Sequence, residues 1–446
     1  MTVDFSCHPL PSGTRQKDKL LQFILRLIGL KKDSVPRQRK EGIHNEDEII
    51  LSIIQKLGLP PSEEIKDRVR EIYRYSLEGH LTSKLQPELK AEMRDVLDRF
   101  GVETDGGRGE DLSEIRRIDL LNGDYEISFE RHYIEDILPV DATIHRNVRV
   151  KNNGRSTWSS FTEQPLYLSY HWLDAGGNHP LWNGEKTEFP IAISPSRAIT
   201  LPLKIKTPSA RGAYTLQISL FHKGVRWIND RVLNVSVVIE DIHQDIDFPL
   251  KITDKVYGYE ESHKIGRLMV EDFIRDHYDR RLTLLEIGGG AHPQTAWFPS
   301  LAAVVNIDIS LPLLMFGVLF FSVVNPSYGE HLSFVCCNAN HLPFGNNSFD
   351  GIVIFSTLHH FPEPENLLAG VSRALKANGF VAVMCEPVGC NPHDPAFTRD
   401  LLKGINEQTF SLEEYLAIFK KSGLSPISVQ IDGTDLKAFL KREPSV

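Results

Sequence analysis

Cysteine is scarce in this sequence of 446 residues. The five cysteines are Cys7, Cys336, Cys337, Cys385 and Cys390. They do not form the spaced pairs of a structural zinc site, and an odd number does not suit a disulfide framework. We therefore expect reduced, mostly buried thiols and no bound metal, as is usual for a cytoplasmic protein.

Long hydrophobic runs are also absent. The most apolar stretch, residues 311–324, has about 14 residues, whereas a helix needs roughly 20 to span a bilayer. Residues 1–12 lack the apolar core and cleavage site of a signal peptide. Residues 311–324 are predicted to form a helix that is apolar on every side. We therefore expect another domain to cover the outer face of this helix. Peripheral contact with a membrane is the less favoured alternative.

An excess of positive charge is missing as well. The 50 Lys and Arg residues are outnumbered by 59 Asp and Glu residues, which gives a net charge of −9. Nucleic acid is therefore not expected as a partner, because its binding requires a basic surface. The chain length and the hydrophobic fraction of 41% instead predict a globular protein of two or three domains.

The N-terminal region has the pattern of helices. Apolar residues recur at helical spacing over residues 16–30, and further helices are predicted over residues 46–57, 62–75 and 86–100. We predict a helical module over residues 1–110, with a scaffold or dimerisation role as the default. The basic side of the first helix leaves contact with a membrane surface open as an alternative.

Apolar residues recur at every second position over residues 118–242. Leu166, Leu168, Tyr170 and Trp172 form one such series. This alternation is typical of strands with one buried face. We therefore predict an antiparallel β-sandwich for this region.

Several stretches of the same region carry a family resemblance. They are residues 151–158, 170–174, 182–187, 212–214 and 222–227. These stretches resemble Ig-like modules of bacterial surface-polysaccharide enzymes and, more loosely, the carbohydrate-binding domains of O-antigen exporters. The resemblance implies carbohydrate binding, in which aromatic rings stack on sugars. The alternative, slightly favoured for any single tryptophan, is a place in the core. The tryptophans concerned are Trp158, Trp172, Trp182 and Trp227.

A glycine turn follows a predicted buried strand in the C-terminal part of the chain. The strand, residues 282–287, runs into Gly288, Gly289 and Gly290. A turn without side chains lets a ligand approach the backbone closely. A dinucleotide fingerprint needs glycine or alanine at its sixth position, but counting from Gly288 that residue is Pro293. A nicotinamide cofactor is therefore not expected.

An acidic residue follows the next predicted strand. Residues 302–307 end before Asp308, which lies about 22 residues (308 − 286) past Glu286. At this spacing an acidic side chain reaches the hydroxyls of a ribose. The turn and the acid together predict a nucleoside site.

Later segments complete an ordered set of motifs. They are residues 338–344, 348–350, 358–361 and 373–380. Together with the turn and Asp308, these segments resemble class I S-adenosylmethionine-dependent methyltransferases over residues 255–446. The resemblance implies a Rossmann-like sheet. The acidic, proline-containing residues 240–255 before it are predicted to be a linker. We thus predict a multidomain α+β and α/β chain, with an N-terminal helical module, an antiparallel β-sandwich and a C-terminal methyltransferase sheet.

The resemblance also implies S-adenosyl-L-methionine as cofactor and names residues that bind it. Gly288 and Gly290, with Gly289 between them, would line its methionine and ribose portions, and Asp308 would bind the ribose hydroxyls. Glu286 would anchor the turn or approach the methionine amine through water.

The adenine end of the predicted site departs from the family's pattern. Asn338 and the backbone N–H of Ala339 would contact the adenine, and Ser356 completes the predicted set. The family's usual residue at position 338 is aspartate, and an asparagine carbonyl accepts a hydrogen bond without charge assistance. The third glycine of the usual turn is His292 here. A role in a turn therefore stays open for Asn338, and His292 either crowds the site or contacts the ligand.

A hydroxyl acceptor would require a base for its proton. His359, His360 and Glu386 are the candidates, because they follow the fourth and fifth predicted strands at the edge where ligands bind. A structural role is the alternative for either histidine.

We interpret the chain as a methyltransferase that acts on a hydroxyl of a sugar or another polar acceptor in surface-polysaccharide biosynthesis, with the sandwich presenting the glycan. One open alternative is a glycan-binding or scaffold protein with a degenerate methyltransferase domain, which Asn338 and His292 suggest. The other is a lipid or quinone acceptor, which the apolar residues 311–324 suggest.

Overall fold

The computed structural model describes most of the chain after residue 124. It covers Glu63, Lys66 and residues 125–443, apart from residues 181–182, 243–245, 299–300, 312, 315–316, 319–320, 322–330, 390–393 and 403. The predicted helical module over residues 1–110 lies outside the described residues except for Glu63 and Lys66, and Trp182 lies outside them as well.

Two β-sheets occupy residues 127–240. Their strands are β1 Ile127–His132, β2 Ile137–Pro139, β3 Thr143–Asn152, β4 Leu166–Asp174, β5 Thr187–Glu188, β6 Ala198–Lys206, β7 Gly212–His222, β8 Arg226–Trp227 and β9 Leu233–Glu240. The smaller sheet has the order β1-β3-β6, and the larger has the order β2-β9-β7-β4-β5 with β8 paired to β7. Paired strands are antiparallel, except that β2 runs parallel to β9.

The inner faces of these two sheets share one apolar cluster. Leu168 and Trp172 of β4, Leu203 of β6 and Ile218 of β7 are completely buried in it. Burial of this alternating set is what fixes the register of each strand, since a shift by one residue would expose all of it. The alternation predicted strands over this region, and the similarity to Ig-like modules stays a prediction.

Two tryptophans of this region belong to the core. Trp158 and Trp172 have no exposed surface, and Trp172 Nε1 donates to the Lys206 carbonyl oxygen at 2.9 Å. The sugar-stacking interpretation is therefore wrong for these two, because no ligand can reach their rings. Trp227 is half-buried and remains accessible.

A mixed eight-stranded sheet forms the second part of the molecule. Its strands are β10 Leu250–Thr253, β11 Leu282–Ile287, β12 Leu301–Asp308, β13 Leu332–Cys336, β14 Phe349–Phe355, β15 Leu375–Pro387, β16 Leu424–Asp432 and β17 Asp435–Arg442. The order is β10-β16-β17-β15-β14-β11-β12-β13. Strand β17 is antiparallel to both neighbours, and the other pairs are parallel. The predicted Rossmann-like sheet is confirmed.

Helices accompany this sheet. They are α1 Tyr259–His277, α2 Pro364–Ala374, α3 Pro395–Leu402 and α4 Leu412–Lys421. Helix α4 begins with a capping box, in which the Ser411 side chain accepts from the Glu414 backbone and the Glu414 side chain accepts from the Ser411 backbone. Of the apolar residues 311–324, Leu314 and Phe321 are helical and buried. In the part of the chain that the structure describes, no helix is both long and apolar enough to cross a membrane.

Strand β10 corrects the prediction of a linker over residues 240–255. It pairs in parallel with β16, with Leu250 opposite Val429. The strand was not predicted because it forms the edge of the sheet, where Lys251 and Ile252 are both exposed and no alternation results. The last two strands, β16 and β17, therefore do not form the edge.

Polar contacts join the two parts of the molecule. Asn147 of β3 donates to the carboxylate of Glu414 through its backbone N–H at 2.7 Å and through Nδ2 at 3.0 Å. Arg131 of β1 forms an ion pair with Glu365 of α2 at 2.8 Å. Arg149 Nη1 donates to Asn406 Oδ1 at 2.9 Å.

Apolar side chains reinforce this junction. Phe397 and Leu401 of α3 are buried in the apolar cluster between the sheets of residues 127–240. The loop between α3 and α4 is held from both sides. Arg149 and Asn147 of β3 donate to Asn406 and Thr409, and Gly389, which follows β15, donates to the Phe410 carbonyl oxygen.

Candidate functional site

The glycine turn lies at the carboxyl end of β11, between β12 and β14. This is the point where the strand order of the sheet changes direction, and ligands of open α/β sheets bind there. Gly288 and Gly290 have φ angles of +75° and +52°. A residue with a side chain would be strained in this conformation. A Cβ on Gly288 would lie 2.3 Å from Thr357 Cγ2. Glycine is thus required at this position by both conformation and space.

Glu286 holds this turn in place. Its carboxylate accepts hydrogen bonds from the backbone of Gln294 at 2.8 Å, and from the backbone and hydroxyl of Thr295 at 2.8 and 2.6 Å. Burial raises the pKa of Glu286 to about 6, despite these bonds. Because the side chain is 1% exposed, Glu286 anchors the turn, which is one of the two predicted roles.

Asp308 lies against the turn at the end of β12. Its Oδ2 accepts from the backbone N–H of Gly290 at 3.1 Å, and its Oδ1 accepts from Ser310 at 2.8 Å. Asn306 Nδ2 donates to the Gly290 carbonyl oxygen at 2.8 Å and steadies the same bend. Burial raises the pKa of Asp308 above its ordinary value. The predicted ribose-binding acid and the glycine turn are therefore in contact.

The residues predicted to contact the adenine, Asn338 and Ala339, follow the end of β13. Asn338 caps a short 3-10 helix, Ala339–His341, and its Oδ1 accepts from the Asn340 backbone at 3.0 Å. This hydrogen bond is the turn role that the sequence left open, and it occupies one lone pair of the side-chain oxygen. Ile309, which the sequence reasoning did not single out, is 74% exposed next to Asp308. It offers apolar surface for a planar base.

Ser356 and Cys385 are strained at the ends of β14 and β15. Their φ angles are +42° and +60°, in the left-handed region that residues other than glycine rarely adopt. Ser356 Oγ donates to the Cys385 carbonyl oxygen at 2.8 Å. Backbone strain of this kind clusters at ligand sites, and the predicted cofactor residue Ser356 lies within such a place.

His359 and Glu386, both predicted base candidates, form a direct pair. His359 Nδ1 lies 2.7 Å from Glu386 Oε2. Glu386 also accepts from the backbone N–H groups of Thr357, Leu358 and His359 at 2.8, 2.9 and 3.1 Å. Burial would raise the pKa of Glu386, but His359 and these N–H groups outweigh it and lower the pKa below its ordinary value. Glu386 has no exposed surface, so it orients His359 and does not itself meet an acceptor.

His360 is joined to the same cluster by Glu407. His360 Nδ1 lies 3.0 Å from Glu407 Oε2, and His359 Nε2 lies 3.4 Å from Glu407 Oε1. Burial would lower the pKa of His360, but the neighbouring Glu407 carboxylate outweighs it and raises the pKa. The sequence reasoning missed Glu407. It lies in the loop between α3 and α4, where no pattern marks its approach to the histidines.

The ring of His292 lies beside an aromatic ring of the helical residues after β12. Its ring is 6.2 Å from the ring of Phe321, and burial lowers its pKa to about 3. Its bulk is therefore accommodated against the helical residues after β12, and the ring is neutral near pH 7.

The N-terminal half of α1 packs against the carboxyl ends of β14 and β15. His263 is buried with its ring 6.0 Å from Phe355, and a Cβ on Gly266 would lie 3.0 Å from Cys385 Sγ. This close approach places α1 over the ends of β14 and β15.

Comparison with known families identifies this region. Residues 285–383 match the family model described as a methyltransferase domain. The match spans the glycine turn, Asp308, the adenine-side residues and the histidine turn.

Two curated relatives match over the same region. One is a ubiquinone/menaquinone biosynthesis C-methyltransferase of Hahella chejuensis, 31% identical over 106 residues, which are 23% of this chain and 42% of that protein. The other is the 27-O-demethylrifamycin SV methyltransferase of Amycolatopsis mediterranei, 28% identical over 106 residues, which are 23% of this chain and 38% of that protein. The chain thus spans about two fifths of the length of these relatives.

Among solved structures, the YcgJ protein of Bacillus subtilis is similar at 23% identity. The match covers 37% of this chain and 70% of that one, with a TM-score of 0.31.

Proposed function

The chain carries a methyltransferase domain of the S-adenosylmethionine-dependent kind, and we propose that the whole protein transfers a methyl group from S-adenosylmethionine to a hydroxyl of a sugar or another polar acceptor. The observation that carries this proposal is the contact between the glycine turn and Asp308, with Gly290 N–H 3.1 Å from Asp308 Oδ2. Backbone without side chains and an adjacent carboxylate suit a ribose and the amino-acid part of the donor.

The residues divide between positioning and proton transfer. Gly288, Gly289 and Gly290 line the donor, Asp308 accepts from its ribose hydroxyls, and Ile309 packs on its base. The acceptor oxygen attacks the methyl carbon in line while the carbon–sulfur bond breaks and its electron pair stays on sulfur. The protein's main contribution is to hold both atoms at about 3–3.5 Å.

The hydroxyl proton must leave as the new carbon–oxygen bond forms. The cluster of His359, His360 and Glu407 receives it in this proposal, because the histidine turn follows Thr357, which packs against the glycine turn. Glu386 is a positioning residue that acts through His359.

A glycan acceptor is favoured by the aromatic outer surface of the larger sheet of residues 127–240. Trp227 lies 4.8 Å from Phe221, Tyr167 stacks on Phe221 at 6.4 Å, and Lys186 lies 4.6 Å above the Phe221 ring. Half-exposed rings beside a cation suit the faces and hydroxyls of sugars. The contact from Arg149 to Asn406 links this part of the molecule to the loop that carries Glu407.

A quinone or lipid acceptor is the second candidate. It rests on the similarity to the Hahella chejuensis C-methyltransferase and on exposed apolar side chains next to the donor site, Ile309 and Leu311. For such a carbon acceptor a ring carbon replaces the hydroxyl oxygen as the nucleophile.

The test is methyl transfer from labelled S-adenosylmethionine by the full chain. Nucleotide-linked sugars, lipid-linked glycans and reduced quinones are offered in parallel, and an Asp308→Ala variant serves as the control. Label in a glycan ether supports the proposal, and label only in a quinone supports the second candidate. Donor binding without transfer to any acceptor would contradict both candidate functions.

A further inference from the structure

His359, His360 and Glu407 bring three potential metal ligands together. Each offers one donor atom, and the three atoms lie within 4.8 Å of one another. The separations from the Glu407 carboxylate are 3.4 Å to His359 Nε2 and 3.0 Å to His360 Nδ1. Zinc bonds of about 2.0–2.1 Å at tetrahedral angles place ligand atoms about 3.3 Å apart. These two separations suit ligands around a single ion, and the separation between the two histidine nitrogens lies within 4.8 Å.

The orientation of His359 is set independently of any ion. Its Nδ1 is bound to Glu386, and Glu386 is held by the backbone N–H groups of Thr357, Leu358 and His359. A histidine held at one nitrogen by a carboxylate presents the other nitrogen with the correct tautomer for a metal. Here that other nitrogen is Nε2, the one that faces Glu407.

Two carboxylates are buried at this place with histidines as their ion-pair partners. Glu386 and Glu407 are 0% and 8% exposed, and within residues 125–443, gaps excepted, neither forms an ion pair with lysine or arginine. Burying two carboxylates is costly unless cations accompany them. A divalent cation would supply positive charge at this place while both imidazoles stay neutral.

The hydrogen bonding of Glu407 also supports a bound ion. Its Oε2 is buried and makes no hydrogen bond to any residue that the structure describes, although His360 Nδ1 is 3.0 Å away. His360 Nδ1 is instead aligned with the Asn406 carbonyl oxygen at 3.0 Å. Because a carbonyl oxygen only accepts, Nδ1 carries a proton in this arrangement, and an ion bound at Nδ1 would displace that proton and take over the contact with Glu407 Oε2.

We propose that His359, His360 and Glu407 bind a divalent transition-metal ion, for which zinc is the first candidate, and that Glu386 orients His359 as a ligand. A set of two imidazoles and one carboxylate suits zinc with a fourth position open, whereas calcium and magnesium prefer oxygen ligands alone. The His360 side chain is 35% exposed, so the ion enters from its side.

The bound ion ties the loop between α3 and α4 to the turn after β14. One further role rests on the proposed function: with the ion bound, its hydroxide takes the acceptor's proton in place of the histidine cluster and becomes water. Ion binding itself does not depend on methyl transfer, and its test uses no methyl donor.

The test measures zinc bound by the full chain. The protein is stripped with a chelator, dialysed and titrated with Zn²⁺, and the metal content per chain is measured by mass spectrometry. Co²⁺ replaces Zn²⁺ in a second titration, in which visible absorption reports a low-symmetry nitrogen and oxygen site. Variants are Glu407→Gln and His360→Asn, which preserve shape, with His277→Asn of α1 as the matched exposed control. Circular dichroism checks folding. His359→Ala is avoided because it leaves Glu386 buried without its partner.

We expect one equivalent of zinc in the parent chain and in His277→Asn, and none above background in Glu407→Gln or His360→Asn. Glu386→Gln should keep the ion with about 10- to 100-fold weaker affinity, the usual effect of losing such a partner. Absence of saturable zinc binding in the parent chain would overturn the proposal, and so would equal binding in folded Glu407→Gln. Unchanged affinity in Glu386→Gln would refute the role given to that residue.

Discussion

The side chain of Thr357 fills the space that a side chain on residue 288 would need. A Cβ on Gly288 would lie 2.3 Å from Thr357 Cγ2 and 2.7 Å from Thr357 Oγ1. Thr357 cannot turn aside freely, because its Oγ1 donates to the Phe355 carbonyl oxygen at 2.6 Å. The residue that follows the end of β14 thus supports the glycine turn directly.

Gly288→Ala should therefore weaken the binding of S-adenosylmethionine by roughly tenfold or more, which corresponds to about 1.4 kcal/mol. Gly258→Ala is the matched control, since no atom lies within 4 Å of a Cβ there and its φ is −65°. The double variant Gly288→Ala/Thr357→Ala should recover only part of the loss, because the φ of +75° stays strained. Equilibrium dialysis with labelled donor measures all three. Unchanged affinity in the single variant would argue against a donor at this turn.

Asp308→Asn should weaken donor binding about ten- to a hundredfold, because a neutral amide loses charge-assisted bonds to two ribose hydroxyls. The exposed Asp254→Asn is the control. Adenine alone should bind both proteins equally, because Asp308 would not contact the base. A parallel loss of adenine binding would mean that the substitution disturbs the site as a whole.

Asp350→Asn should lower the free energy of unfolding at neutral pH by about 2 kcal/mol. Burial alone would raise the pKa of Asp350, but Arg280, the Thr283 N–H and Lys376 lower it from 3.8 to about 2. A depressed pKa contributes stability above the unfolded value, and this contribution is lost as pH falls from 3.8 through about 2. The difference between parent and variant should therefore shrink over that interval.

Urea unfolding at several pH values measures this difference, with the exposed Asp247→Asn as control. A difference that stays constant from neutral pH to about pH 2 would contradict the assignment to the Asp350 charge.

Asn147→Ala should loosen the junction between the two parts of the molecule. The variant removes the Nδ2 bonds to the buried Glu414 carboxylate and to the Thr409 carbonyl oxygen, and it leaves each acceptor short of one donor. We expect a loss of about 1–3 kcal/mol. Calorimetric unfolding should show the two parts melting at more widely separated temperatures than in the parent chain. The exposed Asn153→Ala should leave the trace unchanged, and a single unshifted transition in Asn147→Ala would contradict the coupling.

Trp227→Ala should reduce retention of the protein on immobilised surface glycan, because its half-exposed ring belongs to the aromatic surface with Phe221 and Tyr167. Val225→Ala is the control, since Val225 is 50% exposed nearby and has no ring. If the folded Trp227→Ala variant is retained as well as the parent chain, this surface does not bind the glycan.

The sequence predicted those parts of the site that lie close together along the chain. The turn from Glu286 to Gly290 and the acid Asp308 follow directly from two buried strands, and parallel strands bring their ends to one edge. Glu407 was missed because it reaches His359 from 48 residues away (407 − 359), through a loop whose position depends on α3 and β3. Strand β10 was missed because an exposed edge strand needs no apolar alternation. The local hydrogen bond that occupies Asn338 depends on the conformation of one turn, which its residue type permits without requiring.

The most direct measurement is calorimetric titration of the full chain with S-adenosylmethionine, with Asp308→Ala beside it. We predict saturable binding at one site per chain, below about 1 mM as is usual for enzyme ligands, and its loss in Asp308→Ala. No heat of binding at that concentration, or equal binding by the folded Asp308→Ala variant, would contradict a donor site at Gly288–Gly290 and Asp308.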